Sequence, residues 1–436
     1  MIKKIIATLA IGTVLLTSPL FARDLSIDQA VGEAVNKSSQ VLAKVIDIKN
    51  AQIDEDTKFS AIYPTISVSG TAYRANERTT YDFGAYGSVD SENYLHLSTT
   101  LSASLAFNPA MITTLDATSL ALENKTISLE QSKRDVALQI KKLYYGILVQ
   151  ESAVGLQEDN IAYMQETLKN TEASYENGDI PELSVLQLKS QISSQQAALE
   201  KTKTSIVSQK RTLAYLIGID DITEDLNLTD ALPTTFNDDL SEYTIDKAFS
   251  ASYDLQMANI NKQILDVTKK ATKQSTYAPT VTLSASYNPS WYVADGLDLS
   301  STTYSSEGGS LSATVSFNIT GMLPGSSSQK SLKQLDVSYE QLELGNTSIR
   351  DNIVLQYNSN IEAIKEAKRQ IDLSKESIDL SQQSFEMTSL SYENGDTTFS
   401  DLQSAQLSVS NAQLTLLQSQ YSYVSALLDL EDQCTR

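Results

Sequence analysis

The sequence contains one pattern twice. The hexapeptide Ser-Tyr-Glu-Asn-Gly-Asp stands at residues 174–179 and again, unchanged, at residues 391–396. Three other segments recur in the same order, namely 26–30 with 244–248, 64–69 with 279–284, and 101–108 with 311–318. Ordered matches of this kind indicate an internal duplication, which constrains the fold strongly. Each copy is predicted to run helix, strand, loop, strand, long helix, turn and helix.

The first 22 residues are predicted to be a targeting segment. Lys3 and Lys4 precede an apolar run at residues 5–16, and Ala22 supplies a small residue for cleavage. This order is typical of a secretory signal peptide. No later apolar run reaches the length of a membrane-spanning helix. We therefore expect an exported protein that either stays in solution or enters a membrane as β-structure.

Strands are predicted at about residues 63–74 and 93–107, and in the second copy at about 279–293 and 309–319. Apolar residues alternate there with serine and threonine, so one face is apolar and the other carries hydroxyl groups. The alternation fits a membrane barrel with a polar lumen, or an ordinary soluble sandwich. His96 falls on the hydroxyl face and is predicted to line a lumen or the exterior rather than to catalyse.

Loops are predicted between the strands of each pair, at residues 75–93 and 294–309. Aromatic residues flank these loops, where an interfacial girdle of a membrane barrel would lie. They are Tyr73, Tyr94, Tyr287, Trp291 and Tyr292.

Long helices are predicted for the rest of each copy. No proline interrupts residues 109–175 or 326–392, and each run would extend roughly 100 Å as a helix. Shorter helices are predicted at about residues 25–62, 183–217, 244–277 and 399–430. Two of these carry an apolar ladder of seven-residue period, namely Val185, Ile192, Leu199, Ile206 and Leu213, and Leu402, Val409, Leu416, Tyr423 and Leu430. That period indicates coiled-coil packing, and two short helices could stack end to end beside each long one.

The predicted segments of the chain are a signal peptide at 1–22, a first repeat at 23–217, a linker at 218–243, a second repeat at 244–432 and a tail at 433–436. The hairpin tips are predicted at 176–181 and 393–398. The linker is rich in aspartate and is expected to be a loop with little regular structure. Cys434 is expected to be a frayed, free thiol.

Composition narrows the functional classes. A formal net charge of −21 disfavours nucleic acid as a partner, because phosphate binding needs a basic surface. One cysteine excludes an internal disulfide or a cysteine-rich zinc site, and one histidine excludes a His–His metal site. No constellation for catalysis is evident, so no enzymatic activity, metal or cofactor is expected.

The number of strands predicts an assembly. Four strands are too few to close a membrane barrel, which in single chains begins at about eight strands. An open sheet would leave two unpaired edges, which lipid does not tolerate. Either several copies close the barrel together or the strands lie outside a membrane. A trimer would supply about twelve strands, with the helices forming a second barrel.

The doubled layout resembles the TolC-type outer-membrane efflux proteins. The segments that carry the resemblance are 25–30, the strand entry at 63–69, and the turn at 392–396 followed by 401–407. The resemblance implies a mostly α protein with a β membrane portion. Its homotrimer would form a β-barrel in the outer membrane and an α-helical barrel across the periplasm. It would be the exit duct of a tripartite pump or a type I secretion system, with a periplasmic adaptor protein and an inner-membrane transporter as partners.

The resemblance also implies roles for individual residues. The hairpin tips would dock the adaptor through Tyr175, Gly178, Asp179, Tyr392, Glu393, Gly395 and Asp396. Asp401 falls where the family places an acidic gate residue, and Ser404 falls at its second acidic position. The family's basic latch would fall at Thr397, and Ser184 replaces an acidic residue in the first repeat. The alternatives are plain hairpin turns and a solvated aspartate.

Two other functional classes remain open at this point. A periplasmic coiled-coil adaptor or scaffold without a pore would contain a single hairpin flanked by lipoyl-like halves, whereas this chain has two hairpins with strand pairs. An enzyme or binding protein would need a polar constellation that the sequence lacks.

Overall fold

A computed structural model describes residues 23–74, 80–82, 84–90, 95–178, 180–219, 221–223, 225–233, 236, 239–293 and 302–435. The predicted signal peptide at 1–22 lies outside the described residues. The chain folds as two compact units. The sheet unit comprises residues 44–129 and 253–351, and the helical unit comprises the described parts of 1–43, 130–252 and 352–436.

The elements follow the duplicated order. The first half contains β1 (Arg23–Leu25), α1 (Ile27–Lys37), α2 (Ser39–Asp56), β2 (Thr65–Arg74), β3 (Thr80–Asp82), β4 (Ser88–Asp90), β5 (Leu95–Phe107), α3 (Pro109–Glu176) and α4 (Glu182–Leu216). The second half contains β6 (Leu226–Leu228), α5 (Ile245–Ala251), α6 (Tyr253–Tyr277), β7 (Thr280–Tyr287), β8 (Ser290–Val293), β9 (Thr302–Ser306), β10 (Gly309–Ser316), α7 (Ile319–Met322), α8 (Ser327–Glu393) and α9 (Phe399–Cys434). Short 3₁₀ turns lie at Lys58–Ile62 and Gly84–Tyr86.

The main sheet is antiparallel and four strand positions wide. β5 pairs with β2 on one side and with β7 and β8 on the other. β7 then pairs with β10, and β8 pairs with β9. Among the described residues, the outer sides of β2 and of β9 and β10 have no strand partner. The sheet within one chain is therefore open at both edges.

The register keeps the two kinds of side chain on separate faces. Val68 lies opposite Leu101, which lies opposite Tyr287, so apolar residues share one face, called here the apolar face. On the hydroxyl face, the Ser67 and Ser102 Oγ atoms are 2.7 Å apart, and similar pairs join Ser284 to Ser312 and Ser286 to Ser310. These cross-strand hydrogen bonds stabilise the sheet without a buried core on that face.

The observed strands depart from the prediction in both copies. In the first copy, β3 and β4 lie inside residues 75–93, a segment predicted to be a loop. In the second copy, the strand predicted at about 279–293 is divided into β7 and β8. β9 occupies Thr302–Ser306, inside the segment predicted to be a loop. The strand predicted to continue to residue 319 ends at Ser316, because the Asn318 side chain accepts a hydrogen bond from Gly321 N at 3.0 Å and begins the short helix α7. Asn108 plays the same part in the first repeat, where its Oδ1 accepts from Ala110 N at 2.9 Å.

The helical unit confirms the predicted coiled-coil packing. The ladder residues Val185, Ile192, Leu199, Ile206 and Leu213 are all buried. Ion pairs follow the same seven-residue step along α3 and α4, joining Glu151 to Lys210, Glu158 to Lys203 and Glu172 to Lys189 at 2.7–2.8 Å. The two helices therefore form an antiparallel hairpin in a single register.

A second core joins α5, α8 and α9. Its buried members are Ala248, Ile364, Ala367, Ile371, Tyr423, Val424, Ala426, Leu430 and Cys434. The expectation that Cys434 is frayed is wrong: it is the last residue of α9 and is 7% exposed. It lies one helical turn beyond Leu430, so it continues the same buried helix face.

The shorter N-terminal helices of both repeats are broken, whereas the sequence predicted one helix in each. Ser38 separates α1 from α2: its backbone is extended (ψ 141°), and its Oγ accepts from Val41 N at 3.4 Å. Ser252 separates α5 from α6, also with an extended backbone (ψ 114°). A serine that hydrogen-bonds the following turn favours the end of one helix and the start of the next.

None of the described helices has an 18-residue stretch apolar enough to cross a lipid bilayer.

Candidate functional site

The second hairpin tip ends α8 in a glycine turn. Gly395 has φ +80°, and its N–H donates to Tyr392 O at 3.0 Å, while Asp396 N donates to Ser391 O at 2.8 Å. This pair of bonds is the Schellman arrangement, which closes a helix C-terminus around a residue of positive φ. Gly178 has φ +83° at the first tip and donates to Tyr175 O at 2.9 Å. Asp179 lies outside the described residues.

Asp401 closes the start of α9 by a capping box. Its Oδ2 accepts from Thr397 Oγ1 at 3.0 Å and from Thr398 N at 3.1 Å, while Thr398 Oγ1 accepts from Asp401 N at 3.3 Å. The side-chain and backbone donors of Thr398 hold the pKa of the exposed Asp401 carboxyl below its usual range. The carboxylate is therefore ionised at neutral pH, and its structural role is to cap the first turn of α9.

The position of the family's latch residue is part of the same cap. Thr397 is half-buried, and its hydroxyl donates to Asp401. In place of a basic partner, this chain thus gives Asp401 a neutral one. Ser404 is exposed one turn further along α9, and its Oγ donates to Ser400 O at 2.8 Å. Ser184 stands near the start of α4, where its N–H donates to Pro181 O.

Aromatic packing beneath the tip joins the two hairpins. The Phe399 ring lies 6.0 Å from the Tyr392 ring, between the centroids, and Phe399 also packs on the buried cluster of Met164, Leu188 and Ile192. Burial raises the pKa of Tyr392. Phe399 was not among the predicted site residues.

The predicted docking residues thus lie at two turns with different exposure. Tyr175, Glu393 and Asp396 are exposed, whereas Tyr392 is half-buried under Phe399. Both glycines shape the backbone, and a Cβ added at either one would meet no neighbouring atom within 4 Å. In the described part of the tips, acidic side chains such as Glu393 and Asp396 are therefore exposed at a helix end.

A buried hydrogen-bond network fixes the other end of the helical unit. The Tyr144 hydroxyl is fully buried and lies 2.7 Å from Leu25 O and 2.8 Å from Asp230 Oδ2. Asp230 Oδ2 also accepts from Ile27 N at 2.8 Å. Burial, together with the Asp230 hydrogen bond, raises the pKa of Tyr144 to about 12.

The linker, expected to be a loop with little regular structure, contains the three-residue strand β6, which pairs in parallel with β1. Asp230 is hydrogen-bonded to two other segments of the chain, through Ile27 N and the Tyr144 hydroxyl. Gly218 at the start of the linker has φ +73°, and a Cβ there would lie 2.8 Å from Lys37 Cβ.

The predicted aromatic residues divide between the two faces of the sheet. Tyr287 lies opposite Leu101 and Trp291 opposite Leu97, at apolar-face positions. Tyr73 and Tyr292 are the register partners of His96, at hydroxyl-face positions. Tyr94 lies outside the described residues.

Among the described residues, no group of three or more His, Cys, Asp and Glu side chains is placed to hold a metal ion.

Comparison with solved structures gives matches across nearly the whole chain. The outer membrane protein VceC from Vibrio cholerae is 16% identical with a TM-score of 0.75, covering 94% of this chain and 95% of its own. A membrane protein from Pseudomonas aeruginosa is 14% identical with a TM-score of 0.77, covering 95% and 93%. The Campylobacter jejuni CmeC outer membrane channel is 13% identical with a TM-score of 0.71, covering 93% and 85%. These similarities establish the fold.

A comparison with curated protein sequences gives no match. The sequence model of the family described as "Outer membrane efflux protein" matches residues 30–219 and again residues 244–432, so it recognises both repeats and most of the chain. This chain therefore belongs to the outer membrane efflux protein family.

Proposed function

We propose that three copies of this chain close one export channel through the outer membrane. Membership of the family places the protein in the outer membrane and gives it a role in export. The observation that carries the proposal is the open sheet, in which β2 at one edge and β9 and β10 at the other have no partner among the described residues. Unpaired backbone groups are costly in lipid, so the open edge of one copy must pair with the open edge of the next. Three copies would supply about twelve strands, within the range of known barrels.

The exposed apolar face supports a lipid contact. Val68 is 71% exposed and Leu311 is 85% exposed in the single chain. Exposing large aliphatic side chains to water in a continuous face is unfavourable, whereas lipid covers them without cost. The hydroxyl face would then line the lumen. Of the aromatic residues predicted to form the interfacial girdle, we retain Tyr287 and Trp291, because these two occupy apolar-face positions.

Exposed apolar side chains on α8 and α4 support contacts between copies. α8 exposes Leu373, Leu380 and Met387 at seven-residue steps, each at least 52% exposed. α4 exposes Leu183 and Leu186 near its start. The seven-residue period is the one that a neighbouring helix fills in a coiled coil. We assign these two surfaces to neighbouring copies, so that the helices form a closed barrel.

The tips are the proposed docking surface for a periplasmic adaptor protein, which would connect the channel to an inner-membrane transporter. The residues assigned to docking are Tyr175, Gly178, Asp179, Tyr392, Glu393, Gly395 and Asp396. Asp401 and Ser404 are the proposed gate, where three carboxylates around an axis would favour cations. Energy would come from the partners, and the chain itself would have no catalytic activity.

Conductance in planar lipid bilayers tests this function. The purified full-length protein should give discrete ion-conducting steps in the absence of any partner. A matched sample of the same protein, heated until its oligomer dissociates, should give none. Recovery of the protein as a water-soluble single chain without conductance would instead fit the coiled-coil scaffold.

A further inference from the structure

The second repeat carries uncompensated positive charge where its strands join its helices. Residues 270–293 and 309–335, which contain β7, β8, β10 and the adjoining helix ends, include no aspartate or glutamate. They include four lysines, called here the lysine cluster, namely Lys270, Lys273, Lys330 and Lys333. All four side chains are exposed, and none forms an ion pair with another described residue. In a chain with a net charge of −21, such an acid-free region indicates an anionic partner.

Contacts between α6 and α8 bring the two halves of the lysine cluster together. Two side-chain contacts join the helices here, the ion pair of Lys269 with Asp336 and the hydrogen bond from Gln329 to the Tyr277 hydroxyl at 2.7 Å. Lys273 lies one helical turn from each of the two α6 residues, and Lys333 lies one turn from each of the two α8 residues. The two lysines therefore occupy facing positions between these contacts.

Exposed apolar side chains stand along the chain between β10 and the lysines of α8. Phe317 and Ile319 continue the alternation of β10 beyond its last residue, and Leu323 follows them. Each of these three residues is at least 54% exposed. The first two turns of α8 then contain Lys330 and Lys333. An apolar band followed directly by lysines is typical of a chain that passes from the hydrocarbon of a bilayer into its headgroups.

We propose that the lysine cluster binds the phosphate groups of anionic phospholipids in the bilayer leaflet next to the helices. The proposal rests on the proposed function, because it needs the apolar face of the sheet to contact lipid. Lys273 precedes Thr280, the first residue of β7, by seven residues, which corresponds to about 10 Å along a helix. Polar headgroups occupy about 5–8 Å of each leaflet, and a lysine stem extends to them from there.

A neighbouring copy accounts for only part of the lysine cluster. Pairing of β10 with β2 of the next copy would bring Asp54 and Asp56, which precede β2, toward Lys330 at the edge of the sheet. Lys273 belongs to α6, which leads into β7, and β7 is paired on both sides within one chain. Acidic side chains of a neighbour would therefore not neutralise the α6 half of the cluster.

Competition between two phospholipids tests the proposal. The purified full-length protein in a neutral detergent receives equal amounts of phosphatidylglycerol and phosphatidylcholine with the same acyl chains, and native mass spectrometry measures the lipids that it retains. The wild type should retain phosphatidylglycerol preferentially. Changing all four lysines of the cluster to glutamine should reduce this preference by at least about tenfold, because each lysine near an anionic membrane surface contributes about fivefold.

A matched control variant changes four other exposed lysines to glutamine, namely Lys49, Lys125, Lys169 and Lys201. It removes the same charge at positions further from the strand ends, so it should keep the wild-type preference. Equal preference in the wild type and the cluster variant would overturn the proposal, as would an equal loss in the control. Glycerol phosphate, which has no acyl chains, should displace the lipid only weakly. Displacement at equal concentration would show a simple anion site and would also overturn the proposal.

Two further outcomes separate this proposal from its alternatives. If acidic residues of a neighbouring copy hold the lysines, the cluster variant should dissociate at a lower temperature while its lipid preference is unchanged, and the proposal is then wrong. If the wild type conducts no current, the proposed function fails. The lipid competition in detergent then tests the lysine cluster alone, and a preference that is lost only in the cluster variant supports it.

Discussion

The Tyr144 hydroxyl on α3 lies 2.8 Å from the Asp230 carboxylate, which is 86 residues away in sequence. The same hydroxyl contacts Leu25 O, so a single side chain connects α3, the β1 strand and the linker. Asp230 in turn accepts a hydrogen bond from the backbone of Ile27, at the start of α1. The linker is therefore fixed to α3 and to the first described segment of the chain.

Removing the Tyr144 hydroxyl should destabilise the protein. Tyr144→Phe leaves buried acceptors and donors unpaired, which costs about 1–3 kcal/mol of unfolding free energy. Thermal unfolding in detergent measures the loss. Tyr145→Phe is the control, because its ring is kept and its hydroxyl makes no hydrogen bond to a described residue. Equal midpoints for both variants would show that the network contributes nothing.

Stability should fall in strongly alkaline solution. In the folded protein the pKa of Tyr144 is raised to about 12, and burial, together with the neighbouring Glu431 carboxylate, raises the pKa of Tyr243 to about 12 as well. Unfolded tyrosine loses its proton near pH 10, so the folded state binds more protons between about pH 10 and 12. The stabilisation is present below pH 10 and is lost as the pH rises through that window. Unfolding midpoints measured from pH 9 to 12 should decline less steeply for Tyr144→Phe than for the wild type.

Two glycines of positive φ should differ in their tolerance of alanine. Gly395→Ala meets no neighbouring atom, so only the backbone strain of about 1–2 kcal/mol applies. Gly218→Ala carries the same strain, and its Cβ would also lie 2.8 Å from Lys37 Cβ. Moving α1 away adds about 1–3 kcal/mol. Chemical denaturation should therefore give Gly218→Ala a lower free energy of unfolding than Gly395→Ala. The reverse order would contradict the close approach at Lys37.

The charge and the cap of Asp401 can be separated. Asp401→Asn removes the charge and keeps the size, so the preference of the channel for cations should fall. Thr398→Val removes the capping hydroxyl and keeps the charge, so the preference should persist. Because the pKa of Asp401 is lowered, the wild-type preference should survive as the pH falls to the usual titration range of aspartate. Reversal potentials in a salt gradient give the result, and an unchanged value for Asp401→Asn would place the residue away from the constriction.

The fold was largely predictable because its signals are local and repeated. Alternation identified the strands, and the seven-residue period of residues such as Ile192 and Leu199 identified the hairpin packing. The serine breaks at Ser38 and Ser252 were missed because a single polar residue within a helical pattern is compatible with a continuous helix. β9 was missed because its residues are hydroxyl-rich and resemble a loop.

The site was less predictable, because its contacts join distant residues. Nothing near Asp230 in sequence indicates that its partner is Tyr144. Phe399 and Tyr392 are adjacent in space only because the turn at Gly395 reverses the chain. The division of Tyr73 and Tyr287 between two faces depends on strand register, which a one-residue shift would invert.

Native mass spectrometry of the full-length protein, released gently from detergent, tests the central claim most directly. The account predicts a complex of three identical chains, because only an assembly pairs β2 with β10 of a neighbour. A stable single chain, whose sheet is protected from hydrogen exchange at both edges, would contradict it.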